Sequence, residues 1–311
     1  MAFLSRCTEI LLERSRRWKE YNVTVTSLIN KIGIFLEMIK FSHTIFALPF
    51  ALTGALLAAG GLPTIHQTAW IVLAMVGART AAMAMNRLID ARIDAGNSRT
   101  ATRAIPAGLV SRGMTLFFII AATALMMLAA QMLNPLCLKL APIALFFLLI
   151  YSYCKRFTAL AHVVLGICLA AAPIGAWIAI RGAIETPALL LGAIVLFWVA
   201  GFDILYALQD LEFDRSAGLH SIPVLLGVQG SIRTARIFHT IMVALLFTLY
   251  NFMHLGTFFL LGIIATVAML LYEHWLLRNG DLNKLDAAFF NMNGYISVTI
   301  VLFTAADVLM R

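Results

Sequence analysis

Two short windows of this chain concentrate groups that could hold a hard cation. The first reads Asn86-Arg87-Leu88-Ile89-Asp90-Ala91-Arg92-Ile93-Asp94. At about 100° per residue, one continuous helix stacks Asn86, Asp90 and Asp94 within an arc of roughly 80°. The second runs from Asp203 through Tyr206 and Asp210 to Asp214, and the same reckoning brings Asp203, Asp210 and Asp214 within about 40° of one another. Glu212 falls on the opposite side and is an internal control: it is expected to be solvated or ion-paired, and not a ligand. The chain has only 15 Asp and Glu residues, so six of them in two windows is a strong concentration. Stacked carboxylates repel and are costly near a bilayer, so something cationic should bridge them. Hard oxygen donors suit Mg²⁺, which takes one or two carboxylates together with waters and substrate phosphates. Two such clusters facing each other would hold one or two Mg²⁺ ions with a diphosphate between them, and neighbouring guanidinium groups would take its remaining oxygens. Ordinary acidic helix ends paired with loop arginines would explain one such window, but two are harder to explain that way.

The elements that must position these windows are read from composition. Of the 311 residues, 62% are hydrophobic and 12% charged, against about 45–50% and about 25% for soluble domains. Clear apolar runs cover 41–59, 115–133, 159–180, 189–202, 237–252, 255–271 and 287–306. Two weaker ones cover 69–85, interrupted by Arg79, and 141–153, with Pro142 near its start. This predicts an all-α membrane protein of nine transmembrane helices, with breaks at Gly60-Gly61-Leu62-Pro63, Asn134-Pro135, Arg181-Gly182 and Asn279-Gly280-Asp281. Residues 1–31 are basic and lack the apolar stretch of a signal peptide, so they read as a cytoplasmic, partly amphipathic segment. Residues 32–311 form one transmembrane domain. Nine spans put nineteen of the 23 Lys and Arg residues on the side of the N-terminus and of both acidic windows. By the positive-inside rule that side is cytoplasmic and the C-terminus is outside. The net charge of +8 is therefore mainly topological and does not point to nucleic acid. The four scattered Cys residues form no Cys-x-x-Cys pair and read as apolar packing residues. His43 and His162 likewise read as hydrogen-bonded packing residues. Asp307, near the outer end of the last span, has no evident partner.

At the two windows the sequence resembles the UbiA superfamily of intramembrane prenyltransferases. Asn86-Arg-Leu-Ile-Asp90-x-x-x-Asp94, followed by Asn97-Ser-Arg99-Thr100-Ala-Thr-Arg103-Ala-Ile-Pro106-Ala-Gly108, is similar to that family's first motif and the loop after it. Tyr206-Ala-Leu-Gln-Asp210-x-x-x-Asp214, then Gly218-Leu-His220-Ser221-Ile-Pro223, is similar to the second. Tyr151-Ser-Tyr-Cys-Lys155-Arg156-Phe157-Thr158 is similar to a third landmark loop. Within the superfamily the chain is most similar to the 4-hydroxybenzoate polyprenyltransferase branch, including its relatives in menaquinone synthesis.

The resemblance implies nine helices around a central cavity, a cytoplasmic polar cap and an apolar tunnel for an isoprenoid chain. It implies a multi-pass protein of the bacterial inner membrane that uses polyprenyl diphosphate, an aromatic acid such as 4-hydroxybenzoate and Mg²⁺ in quinone biosynthesis. A different aromatic acceptor on the futalosine route to menaquinone is the alternative. Asp90, Asp94, Asp210 and Asp214 become the expected Mg²⁺ ligands, with Asn86 as a neutral ligand or a donor behind them. Arg99, Arg103, Lys155 and Arg156 are expected on the diphosphate. Asp203 and Tyr206, deeper than the other acids, are expected to orient the acceptor or assist loss of its proton. Arg79 lies two turns below Asn86 and is expected to bind diphosphate or the acceptor carboxylate, or else to pair with a carboxylate such as Asp203. A secondary transporter is the rival from another class, but it predicts acids near mid-membrane and paired broken helices in two halves.

Overall fold

The computed structural model describes residues 33–38, 47–277 and 292–310. The segment 1–31, His43, the start of the first apolar run and the residues around Arg278 and Lys284 lie outside the described residues. All regular structure among the described residues is helical: a short segment at 33–38, then α1 (Leu48–Ala59), α2 (Ile65–Ile89), α3 (Ala91–Gly96), α4 (Arg112–Leu133), α5 (Pro135–Cys154), α6 (Ala161–Arg181), α7 (Thr186–Tyr206), a 3₁₀ turn (Ala207–Asp210), α8 (Leu211–Ser216), α9 (Ile222–Phe252), α10 (Thr257–Leu276) and α11 (Asn293–Leu309). Among the described residues, seven helical stretches are long and apolar enough to cross a membrane, and α1 and α11 are apolar but shorter.

The helices begin earlier than hydropathy alone marks, because polar caps and prolines start them outside the apolar run. At α2, Thr64 accepts from the Gln67 backbone while the Gln67 side chain accepts from the Thr64 backbone, so the helix starts at Ile65 rather than Ala69. At α5, Asn134 accepts from Cys137 N at 2.9 Å and Pro135 occupies the first turn, so the helix starts well before Ala141. Asn134 also donates to Ile178 O at 2.8 Å, tying the start of α5 to the end of α6. At α9, Ser221 caps Val224 at 3.3 Å and the helix begins at Ile222, not Ile237. It then breaks at Gly227, whose φ of 67° is a conformation that suits glycine.

Small residues set how closely the helices approach. A Cβ on Gly77 of α2 would lie 2.8 Å from the Ala122 carbonyl of α4, and one on Gly166 of α6 would lie 2.6 Å from the Leu196 carbonyl of α7. Such close backbone approach is how membrane helices gain dispersion energy where lipid offers no hydrophobic drive. α7 is the central strut. Leu191, Ile194, Val195, Trp198 and Phe202 pack with Phe50 of α1, Trp177 of α6, Met242 and Leu246 of α9 and Ile263 of α10. Phe117, Ile120, Phe146 and Leu271 instead stand exposed on the outside, as helices solvated by lipid require. Asp307 does have a partner: its carboxylate accepts from Gly256 N at 2.8 Å and Phe259 N at 3.3 Å, capping α10 from a distant element.

Candidate active site

Neither acidic window is a continuous helix. The chain leaves helical geometry at Asp90 (φ −88°, ψ 2°) between α2 and α3, and again at Asp210 (φ −101°, ψ 4°) between the 3₁₀ turn and α8. The single-face stacking expected from one unbroken 3.6-residue period is therefore corrected: each window is the end of a long helix, a kink at its next-to-last Asp (Asp90 or Asp210), and a six-residue helix. The kink turns the last Asp of each window inward. Asp94 is 5% exposed and Asp214 2%. Glu212 points outward, its side chain 87% exposed and 3.8 Å from Arg215, as its position in the window required.

Four basic side chains meet the four carboxylates one to one. Arg156 reaches Asp90 at 3.0 Å, Arg103 reaches Asp94 at 2.6 Å, and Lys155 reaches Asp214 at 3.0 Å. Arg99 clasps Asp210 with two nitrogens, its Nε donating to Oδ1 at 2.9 Å and an Nη to Oδ2. Asn97 adds a hydrogen bond to the same Oδ1 at 3.0 Å, and Asn86 donates to Asp90 Oδ2 at 2.8 Å. Lys155 and Arg156 are neighbours in sequence, yet one serves the second window and the other the first, so the windows face each other across a gap that two adjacent side chains bridge. Burial pushes the Asp90 carboxyl up to about 6 against the opposing pull of Arg156. The Oδ2 of Asp94 is buried with no hydrogen-bond partner. Among the described residues no group of three or more His, Cys, Asp or Glu side chains forms a ready-made metal cage.

Below this polar cluster lies a cavity of about 1350 Å³, larger than the roughly 300–1,000 Å³ of ordinary small-ligand sites. Its upper wall carries Asn86, Arg87, Arg99, Arg103, Asp203 and Tyr206, and its body is walled by apolar residues such as Met75, Phe147, Leu148, Leu165, Ile174 and Leu196. A charged head beside a long greasy chamber suits an amphiphile whose anionic end stays at the mouth.

A model of the UbiA prenyltransferase family matches residues 47–295. The chain belongs to the UbiA prenyltransferase family. A UbiA homolog from Aeropyrum pernix K1, solved in its apo form, is 34% identical and superposes with a TM-score of 0.79, over 86% of this chain and 98% of that one. A UbiA homolog from Archaeoglobus fulgidus, solved bound to GPP and Mg²⁺, shares the fold at 21% identity and a TM-score of 0.67, over 88% of this chain and 99% of that one. The 4-hydroxybenzoate octaprenyltransferase of Aliivibrio fischeri (strain MJ11) is 29% identical over 255 residues, covering 82% of this chain and 88% of that protein.

In this UbiA-family chain the residues singled out by sequence converge on one end of the bundle. Tyr206 accepts from Arg99 at 3.1 Å, and the Arg99 guanidinium lies 5.5 Å from the centre of its ring. Arg79 lines the cavity, pairs with no carboxylate among the described residues, and has a buried Nε without a partner. Three participants escaped the sequence reading. Arg87, counted there only for its charge, is 9% exposed, lines the cavity and donates to Met38 O at 3.4 Å. Asn97, quoted there only as part of a motif, grips Asp210. His162, expected as a hydrogen-bonded packing residue, is buried and hydrogen-bonded as expected, and what the sequence did not name is its partner, Asp203 Oδ2 at 2.7 Å. Nothing in their spacing distinguished them, because each acts on a partner far away along the chain.

Proposed function

We propose that this chain transfers a polyprenyl group from its diphosphate to an aromatic acid such as 4-hydroxybenzoate, with Mg²⁺ held by Asp90, Asp94, Asp210 and Asp214. The observation that carries this reading is the one-to-one pairing of four carboxylates with four basic groups at the mouth of an apolar cavity. Such a cluster is charge-balanced by itself, and it would stay within about one charge of balance with a diphosphate and one or two Mg²⁺ ions bound. The four carboxylates would hold the cation, and Arg99, Arg103, Lys155 and Arg156 would meet the phosphate oxygens. The donor set fits Mg²⁺: all four are hard carboxylates, and the buried Oδ2 of Asp94, which accepts no hydrogen bond, keeps its lone pairs for a cation. The absence of a ready-made cage among the described residues also suits an ion that takes much of its coordination from water and substrate phosphates. When bound, Mg²⁺ supplies Lewis-acid neutralisation of the leaving diphosphate.

The chain's own residues do the rest. The guanidinium and ammonium groups meet charge that develops on the diphosphate as the allylic C–O bond breaks. The aliphatic and aromatic cavity walls enclose the isoprenoid tail and keep water from the allylic carbon. The aromatic ring attacks that carbon, and the ring proton leaves to restore aromaticity. Asp203, on the upper cavity wall, is the base placed to receive it, with Tyr206 one turn away orienting the acceptor. Arg79, unpaired and deeper on the same wall, is the group for the acceptor carboxylate or an inner phosphate oxygen. The acids gather at one end of the bundle, which favours this chemistry over transport.

Radiolabelled polyprenyl diphosphate supplied to membranes containing this protein, with a panel of aromatic acids, tests the reading. Labelled aromatic product that requires both substrates is expected. Diphosphate release that is indifferent to every acceptor would point to a hydrolase or cyclase instead. The nine-span arrangement with the acidic windows in the cytoplasm belongs to the same proposal. Single Cys probes near Pro63, Pro135, Arg181 and His254 should react with an impermeant thiol reagent on whole cells, and probes near Arg99, Lys155 and Arg215 should not. Labelling of the two acidic windows from opposite sides would end the shared-site model.

A further inference from the structure

Among the described residues, Asp203 is the one acid of the two windows that pairs with no Arg or Lys. Its partner is His162, in the first turn of α6, whose Nδ1 lies 2.7 Å from Asp203 Oδ2. A carboxylate only accepts, so the shared proton sits on Nδ1 and the imidazole donates. His162 is 1% exposed and does not line the cavity, whereas Asp203 does. The ring's other nitrogen, Nε2, is buried with no partner. The second carboxylate oxygen, Asp203 Oδ1, makes no hydrogen bond among the described residues and is not buried from the cavity. One oxygen is thus anchored from behind by a ring that no substrate can reach, and the other is presented to the chamber.

We infer that His162 is a positioning residue for the transfer reaction, holding the Asp203 carboxylate so that Oδ1 faces the aromatic acceptor. The inference rests on the prenyl-transfer reading and assigns a part of that site that the sequence motifs leave blank. In the step it serves, the C–O electron pair departs with diphosphate and a π pair of the ring forms the new C–C bond. The ring C–H pair then returns to the ring as its proton passes to Asp203 Oδ1. From there the proton goes on to solvent or the departing diphosphate, leaving the carboxylate as it began. A carboxylate free to rotate would face the acceptor only part of the time, and the anchor on Oδ2 removes that freedom.

The test uses His162→Asn, whose amide nitrogen can stand in for Nδ1, and His162→Leu, which keeps similar volume without a donor. Both are made in the full-length protein and again in an Asp203→Asn background, and prenylated product and diphosphate release are both measured. His162→Leu should lower kcat by about ten- to a hundredfold, as loss of a partner that orients an acting group does, with the KM for polyprenyl diphosphate within about twofold of wild type. His162→Asn should recover most of the loss. In the Asp203→Asn background His162→Leu should change kcat by less than about twofold, since the histidine acts only through that carboxylate. An Asn variant as slow as the Leu variant, or an undiminished Leu effect in the Asp203→Asn background, would reduce His162 to packing. Full activity of His162→Leu overturns the inference while leaving prenyl transfer intact. A wild-type protein that forms no prenylated aromatic product overturns the transfer reading itself.

Discussion

The two acidic windows share a plan and differ in how their carboxylates are held. Each ends a long helix, kinks at its next-to-last Asp and buries its last Asp. The first is served largely from nearby: Asp90 by Asn86 four residues back and Asp94 by Arg103 nine residues on, with Arg156 the one remote partner. The second draws its basic partners from far along the chain. Asp210 is held by Arg99 and Asn97 from the loop after the first window, and Asp214 by Lys155 from the loop after α5. Asp210 is saturated by two donors in a fork and a third from an amide, whereas Asp94 keeps a buried oxygen with no partner and Asp90 sits with its carboxyl pushed up to about 6 by burial. The first window therefore keeps one carboxylate oxygen, Asp94 Oδ2, outside its hydrogen-bond network, whereas Asp210 of the second must first be released from the loop that holds it. Loop 97–111 therefore joins the two, giving Arg103 to one window and Arg99 to the other.

The largest effect expected is from the acids themselves. Asp90→Ala and Asp210→Ala should each lower transfer by about 10³-fold or more, with the protein still in the membrane, because charge on the leaving diphosphate is then poorly met. A loss confined to one window would break the two-window comparison. Removing divalent metal with excess chelator should stop turnover as completely, and added Mg²⁺ should restore it. Undiminished activity in chelator would mean that the arginines alone carry the diphosphate.

Next in size are the loop arginines, which sharpen the contrast. Arg99→Met should cost about 10²-fold in kcat/KM and Arg103→Met about tenfold, since Arg99 supplies a bidentate fork plus a contact to Tyr206 and Arg103 a single contact. Equal effects of the two would erase the asymmetry between the windows. The smallest effect is at Glu212: its alanine variant should stay within about twofold of wild type, because the Arg215 pair is solvent-exposed and such pairs contribute little. A Glu212→Ala variant as inactive as Asp210→Ala would mean that the second window is turned the other way around.

The sequence by itself determined the all-helical membrane class, the two acidic windows and the outward face of Glu212. Hydrophobic run length is a local property that helix geometry converts directly into apolar helices, whereas the four-residue spacing marked the windows without fixing their faces, because both kink at an Asp. It also marked the basic residues that serve the acids, because charges are few in so apolar a chain. It could not show which base serves which acid. Those pairs join Asp210 to Arg99 and Asp90 to Arg156 across distances along the chain that no periodicity spans, and only the packing of α5 and α6 against α2, and of α7 against α6, brings them together. Nor could it show the kinks at Asp90 and Asp210, since nothing in a run of good helix formers signals a break that tertiary contacts impose. Asp307, without an evident partner in sequence, became the cap of α10, and His162, one more histidine on an apolar helix, became the partner of Asp203. In both cases a polar group buried in a membrane protein must find a partner somewhere, and which partner it finds is decided by the fold.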